Sequence, residues 1–332
     1  MGMDLLSEVL RIVKLEGALF FNAEFTAPWC LASGSSAMAP YLAPAAGNLI
    51  IYHFLTEGRG YAELGDGHRE ELRAGDIVVL PHGDPHLLGN GTTSERFDSE
   101  QFLANNLTPG LKLARFGGGG ETTKFVCGFM MCDPRLSEGF LAGLPKIFTV
   151  NIVKEPSSQW LEQSIRFSVN ELNGSHAGGG LVLAKLAELL FVETLRRYIN
   201  ALPSDQTGWL AGARDPVVGQ ALAVLHRESA HPWTISDLAR RVGLSRTRLA
   251  ERFQHFLGES PMAYLAQWRL KLGAQILQST GNSVAEVAAA VGYGSEAAFN
   301  RAFKREFDCP PGQFRRRHKG TLAESSRASM RN

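Results

Sequence analysis

Two groups of residues in this 332-residue chain have types and spacings that can do chemistry. The first is His53, His82 and His86 together with Cys30, Cys127 and Cys132. Imidazole nitrogens and thiolates hold transition metals, but a catalytic centre needs at least three protein ligands and an open position. His53, His82 and His86 reach three only if His82 turns inward, which the geometry of adjacent strands opposes. His53 and His86 then remain as a pair that could bind a divalent metal, or all three line a ligand cavity as polar side chains. The cysteines offer thiol oxidation as a second chemistry. Cys127 and Cys132 are five apart, which puts them on opposite faces of a strand, so a disulfide between them needs a bend or bulge. Cys30 is a third redox candidate, and burial as small apolar side chains is the bland alternative for all three.

The second group lies in the last third of the chain, where a repeat places basic and amide side chains. Leu238-Ala-Arg-Arg-Val-Gly243-Leu-Ser245 matches Val287-Ala-Ala-Ala-Val-Gly292-Tyr-Gly-Ser295. The separation is 49 up to the glycines and 50 after them, because Gly294 adds one turn residue. Leu249/Phe299, Phe253/Phe303, Leu257/Phe307 and Pro261/Pro311 continue the register. Thr234 and Ser283 can cap a short first helix in each copy, Glu286 completing a capping box, and Ser245 and Ser295 can cap the second. A glycine-bearing turn between two such helices is the helix-turn-helix pattern. At 100° per residue, Leu249, Phe253 and Phe256 share one inward stripe, as do Phe299 and Phe303.

The outward faces carry hydrogen-bonding groups suited to base edges. Arg301 can fork onto guanine, Asn300 onto adenine, and Glu251 can accept from cytosine. Arg246, Arg248, Arg252, Ser295, Lys304 and Arg305 suit phosphates, which position without specifying. The charge balance agrees: residues 213–332 carry 18 Lys+Arg against 10 Asp+Glu, whereas residues 1–212 carry 16 against 23. A basic module of this kind fits a polyanion.

These residues need two kinds of scaffold. The first half reads as short strands, Leu49–Leu55, Ile77–Leu80 and Lys124–Met131 among them, separated by turns such as Leu64-Gly-Asp-Gly and Pro81-His-Gly-Asp-Pro. Many closely spaced strands favour a barrel or sandwich. The Gly117–Gly120 run lacks the Gly-Lys-Ser/Thr of a phosphate loop and reads as a hairpin tip. From about Leu161 the pattern turns helical, and the segment from Leu181 is apolar on nearly every side. Such a helix must be covered by the β domain or by a second copy of the chain, which makes a homodimer the expected assembly. Residues 201–216 read as a linker, Pro261–Gln278 as a long helix between the two copies, and 318–332 as a disordered tail.

Arg269-Leu270…Ala274…Ile276-Leu277, followed by Val287-Ala288…Val291-Gly292-Tyr293…Ser295…Phe299-x-Arg301-x-Phe303…Phe307…Pro310-Pro311…Phe314-Arg315, resembles the signature of the AraC/XylS transcription regulators. The resemblance spans Pro216 to Arg317. It implies two helix-turn-helix units on successive major-groove turns of double-stranded promoter DNA. By position it implies base contacts from Thr247, Ala250 and Glu251, and from Glu296, Ala297, Asn300 and Arg301. Asp308 departs from the pattern, where glycine is frequent. Gly75-x5-Pro81-x-Gly83-x2-His86-x3-Asn90 resembles the second cupin motif, whereas in the first motif only Gly47 and His53 match and Leu55 stands at a ligand position. Leu15-Glu-Gly-Ala-Leu-Phe-Phe…Ala27-Pro-Trp29 and Leu186-Ala-Glu-Leu-Leu-Phe are similar to AraC-type regulators with a cupin sensor.

The expected architecture is therefore α+β: a cupin-like β-barrel with following helices over 1–200, for effector sensing and dimerisation, and an all-α double helix-turn-helix domain over 217–317. The expected function is sequence-specific transcription regulation governed by a small-molecule effector, with thiol or metal sensing as the alternative mode and RNA polymerase as a further partner if the chain activates. A metal-dependent cupin enzyme with a nucleic-acid-binding tail is the rival class; the missing first-motif ligands oppose it. Four cysteines suggest reduced thiols and a cytoplasmic setting, the N-terminus lacks an export pattern, and no apolar run reaches the roughly 18 residues of a membrane span.

Overall fold

The computed structural model describes residues 4–13, 15–33, 48–99, 101, 113–152, 163–164, 167, 178–203 and 205–316. The expected tail over 318–332 lies outside them. The chain forms two compact units: Leu15–Ser137 with Leu144–Leu202, and Met1–Lys14 with Glu138–Gly143 and Pro203–Asn332. The first helix, α1 (Leu5–Val13), thus clusters with the C-terminal helices, although the sequence groups it with the strands.

The β unit holds β1 (Glu16–Thr26), β2 (Trp29–Ser33), β3 (Asn48–Glu57), β4 (Arg59–Leu64), β5 (Arg69–Arg73), β6 (Asp76–Leu80), β7 (His86–Asn90), β8 (Phe97–Asp98), β9 (Leu113–Gly117), β10 (Thr122–Cys132) and β11 (Phe148–Asn151). They make a six-stranded sheet, β11-β6-β3-β10-β1-β9, and a five-stranded sheet, β5-β4-β7-β2-β8. Side chains alternate faces. Leu49, Ile51 and Leu55 of β3 join Phe125, Cys127 and Phe129 of β10, and Trp29, Leu31, Ala62, Leu64 and Leu88 of the other sheet, in one core cluster. Trp29 stacks on Phe125 with ring centroids 5.3 Å apart, and Phe25 meets both edge-on. The glycine run is not a hairpin tip. β9 pairs parallel with β1 and β10 antiparallel with it, so 118–121 crosses the end of β1, where Gly118 N–H donates to Thr26 O at 2.9 Å.

After α2 (Pro134–Leu141) and β11 comes α3 (Gly179–Ala201), the long apolar helix. It lies against β1, β10 and β11 and buries Leu183, Ala187, Leu190, Phe191 and Leu195. Arg197, paired at 3.0 Å with Glu193 one turn back on the same helix, anchors it by donating to the carbonyl of Ile152, also at 3.0 Å. The opposite face leaves Leu181, Val182 and Leu189 exposed at 68%, 40% and 44%. The β unit therefore covers only half of this helix.

The helical unit continues with α4 (Trp209–Arg214), α5 (Pro216–Arg227), α6 (Ile235–Arg241), α7 (Arg246–Leu257), α8 (Pro261–Ser279), α9 (Val284–Ala290) and α10 (Glu296–Phe307). The stretch read as a linker contains α4, whose Trp209 is buried and donates its indole N–H to Tyr264 Oη at 2.9 Å. Caps fall where the sequence puts them. Thr234 accepts from Asp237 N, Ser245 from Arg248 N and Ser295 from Ala298 N, and Ser283 with Glu286 makes the capping box. Asp308 ends α10 in the left-handed region at φ 53°, which explains why glycine suits that position. His226 stacks on Trp268 at 3.6 Å and shares a 2.7 Å hydrogen bond with Tyr264 Oη; burial drives its pKa down to about 3, so it stays neutral.

Candidate functional site

The duplicated pairs are α6–α7 and α9–α10. In each, a left-handed glycine follows the first helix, Gly243 at φ 71° and Gly292 at φ 81°, and turns the chain into the capped second helix. Leu249 and Phe253 of α7 are fully buried, as are Phe299, Phe303 and Phe307 of α10. Phe256, read as part of the inward stripe, is half-buried. Phe303 touches Phe299, Phe307 and Phe314 with centroids 4.4–5.3 Å apart. Fixing that stripe rotates the opposite one outward. Thr247 and Glu251 are exposed beside half-buried Ala250; Glu296, Ala297 and Arg301 are exposed beside half-buried Asn300, whose amide donates to Glu296 at 3.4 Å. Equivalent positions carry different chemistry: Ala250 and Glu251 in one copy correspond to Asn300 and Arg301 in the other.

Arg246, Arg248, Lys304 and Arg305 flank these faces and are exposed, as is the capping Ser295. Arg252 behaves differently. It is bound to Asp215, the residue that caps α5 through Val217 N and Val218 N, so its charge ties α7 to α5. Its role as a phosphate contact is not what the geometry favours.

In the β unit, register brings two of the predicted residues together with a third. Cys127 of β10 is the cross-strand partner of His53 of β3, and both face inward. Cys127 Sγ lies 2.6 Å from His53 Nδ1, and His53 Nε2 lies 2.6 Å from His86 Nε2, which reaches in from β7 of the other sheet. His86 Nδ1 is 2.8 Å from the carbonyl of Asp84. That carbonyl can only accept, so Nδ1 of His86 carries hydrogen and its Nε2 is bare. His53 then donates from Nε2 and accepts at Nδ1 from the Cys127 thiol. Burial holds all three neutral: it lowers His86 to about 4 and His53 well below the usual imidazole range, and raises Cys127. The chain of hydrogen bonds is complete without a net charge.

A cavity of about 780 Å³ adjoins this chain on the five-stranded side, lined by His86, Ser33, Glu63, Arg96, Phe97 and Asp98 among others. His82 is not part of it. It is exposed and its Nε2 lies 3.2 Å from Leu144 O, because it sits in the turn before β7 rather than at an inward strand position.

A cupin family model matches residues 4–200, and a helix-turn-helix domain model matches 238–317. A putative AraC-like transcription regulator of Streptomyces lividans is 37% identical over 95% of this chain and 98% of its own length. This chain is an AraC-like transcription regulator with a cupin domain. The HTH-type transcriptional regulator AlkR of Acinetobacter baylyi is 29% identical, over 80% of this chain and 87% of that protein. The RCS-specific HTH-type transcriptional activator RclR of Escherichia coli is 27% identical, over 95% and 98%. The regulator combines a β-rich cupin-like unit with a helical DNA-binding unit, and DNA is its partner.

The cupin fold raises the question of a metal, which the side chains here do not fit. His53 spends its two nitrogens in opposite directions, towards Cys127 and towards His86, so one ion cannot collect all three donors. Among the described residues no three His, Cys, Asp or Glu side chains gather as a metal site. Nor do the redox candidates face one another. Cys132 points to the other face of β10, 3.8 Å from Asn48 O, and Cys30 pairs with Gly89 in the other sheet; all are free thiols. The Cys127–His53 contact was missed in the sequence, where only the alternation of β10 against β3 could have signalled it. No helix among the described residues is long and apolar enough to cross a membrane.

The neutral pair makes stability depend on pH. In the unfolded chain these imidazoles protonate near pH 6.5, whereas in the folded chain burial resists it, His86 holding out to about pH 4. The unfolded state therefore takes up more protons, and stability falls as pH drops from about 7 to about 4. The urea midpoint of the regulator should decline across that window, and His86→Gln should flatten the decline. Parallel curves for the two proteins would contradict the assignment.

Proposed function

We propose that the regulator reads an operator through Thr247, Ala250 and Glu251 of α7 and Glu296, Ala297, Asn300 and Arg301 of α10. Arg246, Arg248, Ser295, Lys304 and Arg305 hold the flanking phosphates. The observation that carries this reading is the pair of capped helices whose buried stripes turn non-identical polar faces outward at equivalent positions. Each face enters one major groove, so the two subsites differ in sequence. Residues 217–317 form the DNA-binding domain and 1–200 the sensing domain, with α1 structurally allied to the former. The chain acts in the cytoplasm and is not an enzyme, in keeping with relatives that are transcriptional regulators.

The cupin unit would bind a small effector in the cavity beside His86, and the exposed Leu181, Val182 and Leu189 stripe of α3 would meet a second copy to form a homodimer. An effector shifts regulation only if it binds one conformation better than another. Where it activates, RNA polymerase is the further partner. A thiol mode of sensing is the second reading. It is favoured by one contact, the Cys127 Sγ placed 2.6 Å from His53 Nδ1, and by the similarity to an RCS-specific activator.

Selection of binding sites from random duplexes with the full chain tests the central reading: a bipartite sequence should emerge, and recovery of no preferred sequence would defeat it. With that operator, Arg301→Ala should lose about 1–3 kcal/mol and relax one base position. A loss equal on all sequences would contradict base reading. Arg246→Ala should weaken every sequence alike and lower the salt slope by about 1. For the sensing mode, operator affinity of the full chain is measured before and after peroxide or hypochlorite. Cys127→Ser should abolish any change while Cys30→Ser and Cys132→Ser keep it; an unchanged response in Cys127→Ser rules the thiol mode out.

A further inference from the structure

The two copies of the helix-turn-helix differ at one duplicated position. A Cβ built on Gly243 meets nothing within 4 Å, so that turn needs glycine only for its backbone angle. A Cβ on Gly292 would lie 2.6 Å from Ala230 O, 2.7 Å from Ala230 Cα and 3.0 Å from Ala230 C. These are backbone atoms, which cannot swing aside. The turn of the second copy is thus seated directly on the backbone of the loop that leads into the first.

That loop is held from a third side. Arg269, on α8, donates from Nε to Ser229 O and from Nη2 to His231 O, both at 2.7 Å, gripping the carbonyls on either side of Ala230. Trp233 closes the loop on itself, its indole N–H donating to Glu228 O at 3.1 Å and its backbone N–H to His231 O at 2.7 Å. Three elements converge on three residues: the connecting helix through Arg269, the turn after α9 through Gly292, and the start of α6 through the loop itself. α8 packs against α7 of the first copy and against α9 and α10 of the second, through side chains that can slide and repack. The contact of backbone with backbone at Ala230 and Gly292 adds an attachment that cannot.

We propose that Gly292 and Arg269 are positioning residues, which lock the two recognition helices into one rigid reader and so set the distance between operator subsites that this regulator accepts. The inference rests on the two-groove reading above. One base pair added between subsites moves the second by about 3.4 Å and turns it by about a tenth of a rotation. A braced reader cannot follow that displacement, whereas a reader hinged on α8 can follow part of it. Gly292→Ala forces the turn off the loop. Arg269→Met keeps the aliphatic stem and removes both carbonyl bonds, so the brace is opened without touching the crowded glycine.

The test uses the full-length regulator and the operator obtained by selection, with zero, one, two or five base pairs inserted between the subsites, and with the first subsite alone. Wild type should lose at least about tenfold in affinity with one inserted pair, since the second reader then stops contributing its share of a tethered interaction. Gly292→Ala and Arg269→Met should reduce that penalty to about threefold or less, while binding the first subsite alone as wild type does. Arg269→Lys, which keeps one donor for the carbonyls, should recover part of the discrimination, and Gly243→Ala should keep all of it. A folded Arg269→Met or Gly292→Ala that retains the wild-type spacing penalty overturns the brace while leaving two-groove reading intact. Wild type indifferent to inserted pairs overturns the brace too, and wild type with no bipartite preference removes the reading beneath it.

Discussion

A helix can present side chains to a DNA groove only if its opposite side is held so firmly that the outward face has one orientation. In this regulator that hold is a short apolar stripe on each recognition helix: Leu249 and Phe253 on α7, Phe299, Phe303 and Phe307 on α10. Burying a large apolar side chain is worth about 1.5–3 kcal/mol. Two or three such anchors on a helix of 12 residues therefore outweigh the rotational freedom of the polar groups opposite them. The caps at Ser245 and Ser295 complete the restraint by fixing where each helix begins. Every proposed base contact inherits its direction from those few buried groups.

The same logic of facing sides governs the β unit with a different period. In β3 and β10 alternate residues turn into the core, and the antiparallel register sets His53 opposite Cys127. Once inside, neither imidazole can carry a charge cheaply, and their directional bonds dispose of every proton without one. A polar cluster this deep is tolerated because each of its hydrogens has a destination, ending at the Asp84 carbonyl. The arrangement also explains why a cupin-like barrel need not hold a metal: the side chains that elsewhere could converge on an ion here satisfy one another.

Duplication gave the helical unit two similar halves, and the structure shows how unevenly they are constrained. Gly243 and Gly292 share a backbone conformation, yet only Gly292 is pinned by a neighbouring backbone. Asp215 and Arg252 couple α5 to α7, and no counterpart was evident in the repeat. α3 presents a similar contrast, half sealed against the sheets and half apolar towards the outside. Symmetry in sequence is thus broken by what each copy happens to touch.

Composition, repeat and helical period were enough to determine the double helix-turn-helix, its caps, its outward polar residues and its inward aromatics except Phe256, because these depend on neighbours three or four positions apart. The strands around His53, His86 and Cys127 were also legible as strands. Pairings between distant segments were not. The meeting of Cys127 with His53, the diversion of Arg252 to Asp215, the alliance of α1 with the C-terminal helices and the seat of Gly292 on Ala230 all join residues far apart in the chain. Strand register and helix docking decide them, and these are set by the summed fit of many side chains, which no local pattern encodes.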